Sequence, residues 1–176
     1  MLNPVVSDHK VVMEIFISLH AKRFFDLYFG DDSEFLVTKF FAQRGDLDVS
    51  STNWVTPTGD EAKYDNHKVI STKKMKMRVQ IKGNPFVKEA PTTKTLKILE
   101  NSEDKIVIRN LNRTTDVPYC DSFGVEEEYL ITSLPGTKCC VFRVTFCLRW
   151  YKWTMMKAII TSNTEAETPK AYNALK

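Results

Sequence analysis

Residues 138–152, KCCVFRVTFCLRWYK, decide the fold class. Phe142, Val144, Phe146, Leu148 and Trp150 recur at every second position, with Arg143, Thr145 and Arg149 between them. A period of two puts alternate side chains on opposite faces, so this is a long strand with one apolar face. The same period recurs upstream in residues 48–58, 62–82, 92–100, 105–112 and 123–132. Short polar stretches such as ENSED (100–104) and SLPGT (133–137) separate several of these runs, as antiparallel neighbours require.

The two ends of the chain read differently. Residues 10–19 set Met13, Ile15, Ile17 and Leu19 against Glu14 and Ser18, a half-buried strand. Ser18 can then cap a helix carrying Phe24, Phe25, Leu27, Tyr28 and Phe29 and stopping at Gly30. A second short helix follows, with Asp31, Asp32 and Ser33 as caps, Phe35, Leu36, Lys39 and Phe40 at helical spacing, and Gly45 as its end. After the last strand, residues 153–167 predict a helix with Trp153, Met156 and Ile160 on one stripe. Pro169 should end or kink it, because proline lacks an amide donor and restricts Thr168. The order is strand, two short helices, about six strands, helix. It predicts an α+β domain over residues 10–176, in which an antiparallel sheet curls around the terminal helix and can leave a cavity between them.

At 176 residues the chain can bury one substantial core. A net charge of +3 does not by itself argue for nucleic acid, but the charge is unevenly placed. Lys63, Lys68, Lys73, Lys74, Lys76, Arg78, Lys82, Lys88, Lys94 and Lys97 face only Asp65 and Glu89 in the same stretch. Such a stripe attracts anionic partners, phospholipid headgroups among them, or forms a solvated sheet face. No signal peptide is read at the N-terminus, and VVMEIFISL (11–19) is interrupted by Glu14 and far short of a span. Cys120, Cys139, Cys140 and Cys147 form no CxxC, and His9, His20 and His67 lack ligand spacing. Reduced thiols, a cytosolic setting, no metal and no cofactor are expected.

Three segments carry a family resemblance. They are residues 17–54 (ISLHAKRFFDLYFGDDSEFLVTKFFAQRGDLDVSSTNW), 81–100 (IKGNPFVKEAPTTKTLKILE) and 114–132 (TTDVPYCDSFGVEEEYLIT). Asp31-Asp32-Ser33-Glu34-Phe35, Gly45-Asp46 and Trp54 resemble the opening of the VASt family, the START-like domains of Aster-type and Lam-type sterol transfer proteins. Asp116-Val117-Pro118-Tyr119 with Asp121 and Phe123 resembles its central signature. The resemblance implies a helix-grip fold of six or seven strands enclosing a hydrophobic cavity for one sterol. It also implies a lid loop, for which residues 83–94 (GNPFVKEAPTTK) stand in the comparable place, although the family's adjacent Pro-Lys pair is split here.

On this reading Phe86, Val87, Phe123, Tyr129, Phe142, Phe146, Met156 and Ile160 contact the ligand, while Lys82, Lys88 and Lys94 dock on anionic membrane. The bland alternative tucks Phe86 and Val87 into an ordinary core, and reads DVPY as a turn and Trp54 and Trp150 as core. Expected partners are a sterol or similar lipid and an anionic membrane, with no nucleic acid, for a monomeric domain. The expected location is the cytoplasmic side of intracellular membranes, including contact sites of the endoplasmic reticulum. No GxSxG, HExxH or Gly-rich phosphate loop is present, so no enzyme is expected. The competing function is a module that recognises anionic lipid without extracting it.

Overall fold

A computed structural model describes residues 8–33, 37–81 and 87–172. Its seven-stranded sheet comprises β1 (Lys10–Ile17), β2 (Leu47–Ser51), β5 (Ser71–Gln80), β6 (Glu89–Asn101), β7 (Lys105–Thr114), β8 (Phe123–Ser133) and β9 (Cys140–Trp150). A separate hairpin, β3 (Lys63–Tyr64) and β4 (His67–Lys68), lies between β2 and β5 in sequence. The strand order is β1-β9-β8-β7-β6-β5-β2, and every pairing is antiparallel. Strands β5 to β9 are thus a plain meander, and the two N-terminal strands close its opposite edges.

That arrangement dictates where the short helices go. α1 (Ala21–Phe29) and α2 (Val37–Gln43) connect β1 at one edge to β2 at the other. α1 contacts the central strands β7 and β8, so the chain crosses the sheet's inner face on its way. Ala21, Phe24, Phe25 and Phe29 are buried there, joined by Phe41 of α2. Ser18 does not cap α1. His20 occupies that position without a side-chain bond, and the Ala21 amide donates to Ser133 Oγ of β8 at 3.1 Å. A helix-end donor is satisfied by the sheet on which the helix lies.

Two other expectations are corrected. Residues 62–82 are not one strand. Asp65 adopts a φ of 50°, which turns the chain back on itself and separates the β3–β4 hairpin from β5. The terminal helix α3 (Lys157–Tyr172) starts later than read and continues through Pro169. Trp153 precedes it and is 84% exposed, so the stripe of Trp153 with Met156 and Ile160 does not exist, although the latter two are half-buried. Thr154 is buried instead, and its Oγ1 accepts the Met156 amide at 3.1 Å. Pro169 is tolerated because the turn beyond it is anchored: the Tyr172 hydroxyl donates to Glu127 at 2.7 Å, inside the sheet. No helix among the described residues is long and apolar enough to cross a membrane.

Candidate functional site

The registers place one set of side chains on the inner face of the sheet. Ile106 lies opposite Ile131, Ile108 opposite Tyr129, and Tyr129 in turn opposite Val144. Leu96, Ile98, Met75 and Met77 extend the surface towards β5, and α1 lays Phe24 and Phe29 against Phe142 and Tyr129. The same alternation carries four polar residues inward among these apolar ones: Lys94, Asn110, Asn112 and Glu127.

Glu127 is the centre of that group. Its Oε2 accepts from Lys94 Nζ at 3.2 Å, Asn110 Nδ2 at 2.6 Å, Asn112 Nδ2 at 2.9 Å and the Tyr129 hydroxyl at 3.0 Å. Its Oε1 accepts from Tyr172 of α3. Burial pushes the Glu127 carboxyl up, but Lys94 and the donors from Asn112 and Tyr172 outweigh it and hold it below its ordinary value. Burial lowers Lys94 and raises both tyrosines, which therefore remain hydroxyl donors. Two acceptors in this cluster have no partner, Asn110 Oδ1 and Asn112 Oδ1, both buried. An orphaned buried carbonyl costs about 1–3 kcal/mol, so an incoming hydroxyl that donates to it would recover that energy.

The expected ligand contacts divide. Tyr129, Phe142 and Phe146 are buried, the first two within the main core cluster. Phe123 is half-buried and packs on Trp150 with ring centres 5.5 Å apart, while Met156, just before α3, and Ile160, in its first turn, are half-buried. Val87 is half-buried, Lys88 is exposed, and Lys82 and Phe86 lie outside the described residues. Lys94 is not a docking residue. It is 6% exposed and points inward to Glu127 and over the Phe41 ring, because it shares its strand face with Leu96 and Ile98. Lys73 is also buried, held by Asp31 at 2.7 Å and by the Phe29 carbonyl at the end of α1. Two lysines of the presumed surface stripe thus belong to the interior. DVPY forms a turn, with Asp116 and Tyr119 both at positive φ.

Residues 11–167 match VASt, the VAD1 Analog of StAR-related lipid transfer domain. The chain belongs to the VASt family. It is 26% identical over 171 residues to Protein VASCULAR ASSOCIATED DEATH 1, chloroplastic, of Arabidopsis thaliana. That alignment takes in 94% of this chain and 27% of the relative, so the chain spans about a quarter of the relative's length. The match agrees with the α+β architecture: a large antiparallel sheet, a C-terminal helix, and short helices after the first strand. As a VASt domain the protein is a lipid-binding module.

The outer face of this VASt domain carries a second polar cluster that sequence reading missed. Glu126 is fully buried between Arg109 Nη1 at 2.6 Å, Arg149, the Tyr64 hydroxyl of the β3–β4 hairpin, and His9 at 3.4 Å. Burial raises the Glu126 carboxyl, but the hydrogen bonds from His9, Tyr64 and Arg149 bring it down to about 2. A cleft of about 790 Å³ opens beside it. His9, Glu126 and Cys147 approach within 4.8 Å of one another, a donor set scattered in sequence. Two guanidinium groups press on it, and burial pushes the Cys147 thiol up to about 11. The cluster therefore fits an ion-pair hub that clamps the hairpin to the sheet better than a cation site.

Proposed function

We propose that this VASt domain binds a sterol between sheet and helices and transfers it between membranes, without catalysing a reaction. What carries the reading is the composition of the inner face: a largely apolar surface in which the buried Glu127 cluster leaves two acceptors unpartnered, whereas the other buried cation there, Lys73, is paired with Asp31. A sterol has the complementary form, a rigid apolar body with one hydroxyl, and that hydroxyl would donate to Asn110 Oδ1 or Asn112 Oδ1. Phe86 and Val87 would act as the gate, and Lys82 and Lys88 would meet anionic headgroups. The domain would work as a monomer on the cytoplasmic face of intracellular membranes, including contact sites of the endoplasmic reticulum.

Displacement of a fluorescent sterol analogue tests the reading. A sterol should displace it, and the same sterol skeleton without its hydroxyl should bind at least about tenfold more weakly, because the acceptors stay unpaired. Equal affinity for the two skeletons removes the hydroxyl anchor. Failure of any sterol to bind, with vesicle association retained, would favour a module that recognises anionic lipid without extracting it.

A further inference from the structure

The antiparallel registers bring three connections to one end of the sheet. Gln80 pairs with Glu89, Thr92 with Thr114, Asn112 with Val125, and Phe123 with Trp150. The β5–β6, β7–β8 and β9–α3 connections therefore all leave from that end. The last of them is unusual. Trp153 is 84% exposed and Met155 83%, followed by Ile159 at 53% in the first turn of α3. Tyr119, exposed in the neighbouring β7–β8 connection, lies at the same end.

The backbone beneath these side chains is fixed. The Tyr151 amide donates to the Ser122 carbonyl at 2.8 Å, and the Tyr151 ring stacks under the Arg113 guanidinium at 3.9 Å. Tyr151 Oη would stand 3.1 Å from a Cβ at Gly124, so a side chain there would crowd it. Thr154 is buried and bonds the Met156 amide, which sends the residues on either side of it, Trp153 and Met155, outward. Two large apolar side chains are thus held in water by a rigid frame, and their transfer to an apolar surrounding would be favourable.

Charge indicates what covers them. Between Glu128 and Glu165 the chain contains no Asp or Glu, and Lys152 and Lys157 bracket Trp153 and Met155. Lys152 reaches Asp121 at 2.6 Å across an exposed surface, a pairing that water screens, and Lys157 lies over the Trp150 ring. Tryptophan flanked by lysines is the chemistry of a bilayer interface, where the indole sits at headgroup depth and the ammonium groups meet anionic lipid. We propose that residues 151–159, led by Trp153 and Met155, insert into the headgroup layer of an anionic phospholipid bilayer and anchor this end of the sheet to it. The inference rests on the reading that the domain works at membranes, but it requires no sterol.

Sterol-free vesicles of phosphatidylcholine, with and without phosphatidylserine, test it on the whole chain. The wild-type protein should float with the serine-containing vesicles, and salt should weaken the association. Its tryptophan emission should shift to the blue and be quenched by brominated lipid. Trp153→Phe should keep the flotation and lose most of the quenching, which assigns the signal to Trp153 rather than to Trp54 or Trp150. Trp153→Ser with Met155→Ser should reduce vesicle association about tenfold while leaving sterol-analogue binding in solution unchanged. Undiminished flotation of that double variant overturns the proposal, as does unquenched wild-type emission. A concentration-dependent dimer of the wild type that the double variant abolishes would give the patch to a second copy of the chain, and would likewise overturn it. Loss of sterol binding with vesicle anchoring intact would instead count against the cavity reading alone.

Discussion

Glu127 shows how much one inward carboxylate can organise. It ties β6, β7, β8 and α3 together through Lys94, Asn110, Asn112, Tyr129 and Tyr172. Lys94→Ala leaves that charge buried and unpaired, and should cost about 3–5 kcal/mol in urea unfolding. Lys94→Met combined with Glu127→Leu should recover most of the loss, since a buried pair replaced by apolar groups is often neutral. If the double variant is no more stable than Lys94→Ala, the apolar pair does not pack. The inward set was legible from parity alone: Lys94 shares its face with Leu96 and Ile98, Asn110 with Ile106 and Ile108, and Glu127 with Tyr129 and Ile131. Reading Lys94 by its charge and its neighbours in sequence sent it to the surface instead. The same parity sends Glu127's neighbours Glu126 and Glu128 to the opposite face, where both meet Arg109.

At the scale of elements, strands were more legible than helices. The alternation in β1, β7, β8 and β9 is long enough to be decisive, and those strands lie where the period puts them. The helices here are held by partners that the local sequence does not contain. α1 takes its first cap from Ser133, and α3 has only Tyr172 fully buried among its residues. Pro169 is the extreme case, since an interior proline removes a helix hydrogen bond at a cost of about 3 kcal/mol. Pro169→Ala should therefore raise the free energy of unfolding measured in urea by up to about 2–3 kcal/mol if Tyr172 keeps its place. A variant less stable than wild type would mean that the proline bend itself aims Tyr172 at Glu127. The β3–β4 hairpin was missed because its strands are two residues each, too short for any period to register.

For the molecule as a whole, the two carboxylate hubs predict how it meets acid. Glu126 ties β7 and β9 to the hairpin and His9 on the outer face, while Glu127 holds the inner face. Both carboxyls titrate below their ordinary value of 4.5, Glu126 at about 2. A depressed carboxyl contributes stability that is complete above its unfolded value and is lost as pH falls towards the folded one. Urea midpoints should therefore be flat down to pH near 4.5 and fall below it, with at most about 3 kcal/mol attributable to Glu126. Glu126→Gln should flatten part of that fall from a lower plateau, and an unchanged acid slope in this variant would mean that Glu126 is not held low. The family, the sheet and the apolar strand faces were legible in the chain. Which inward polar residues meet one another was not, because that cluster is assembled from three strands and a helix.

The closure of the sheet by its first strand has a consequence during synthesis. β1 pairs only with β9, Ile17 meeting Cys140 and Lys10 meeting Phe146. A ribosome working from the N-terminus releases Met13 and Ile15 long before their partners exist. At about 5–20 residues per second that interval is roughly ten seconds. The β5–β8 meander can assemble meanwhile from adjacent hairpins, but the apolar side of β1 waits, together with the aromatic residues of α1. Nascent chains stopped before β9 should thus be clients for a holdase chaperone, and those extended past Trp150 should be released from it.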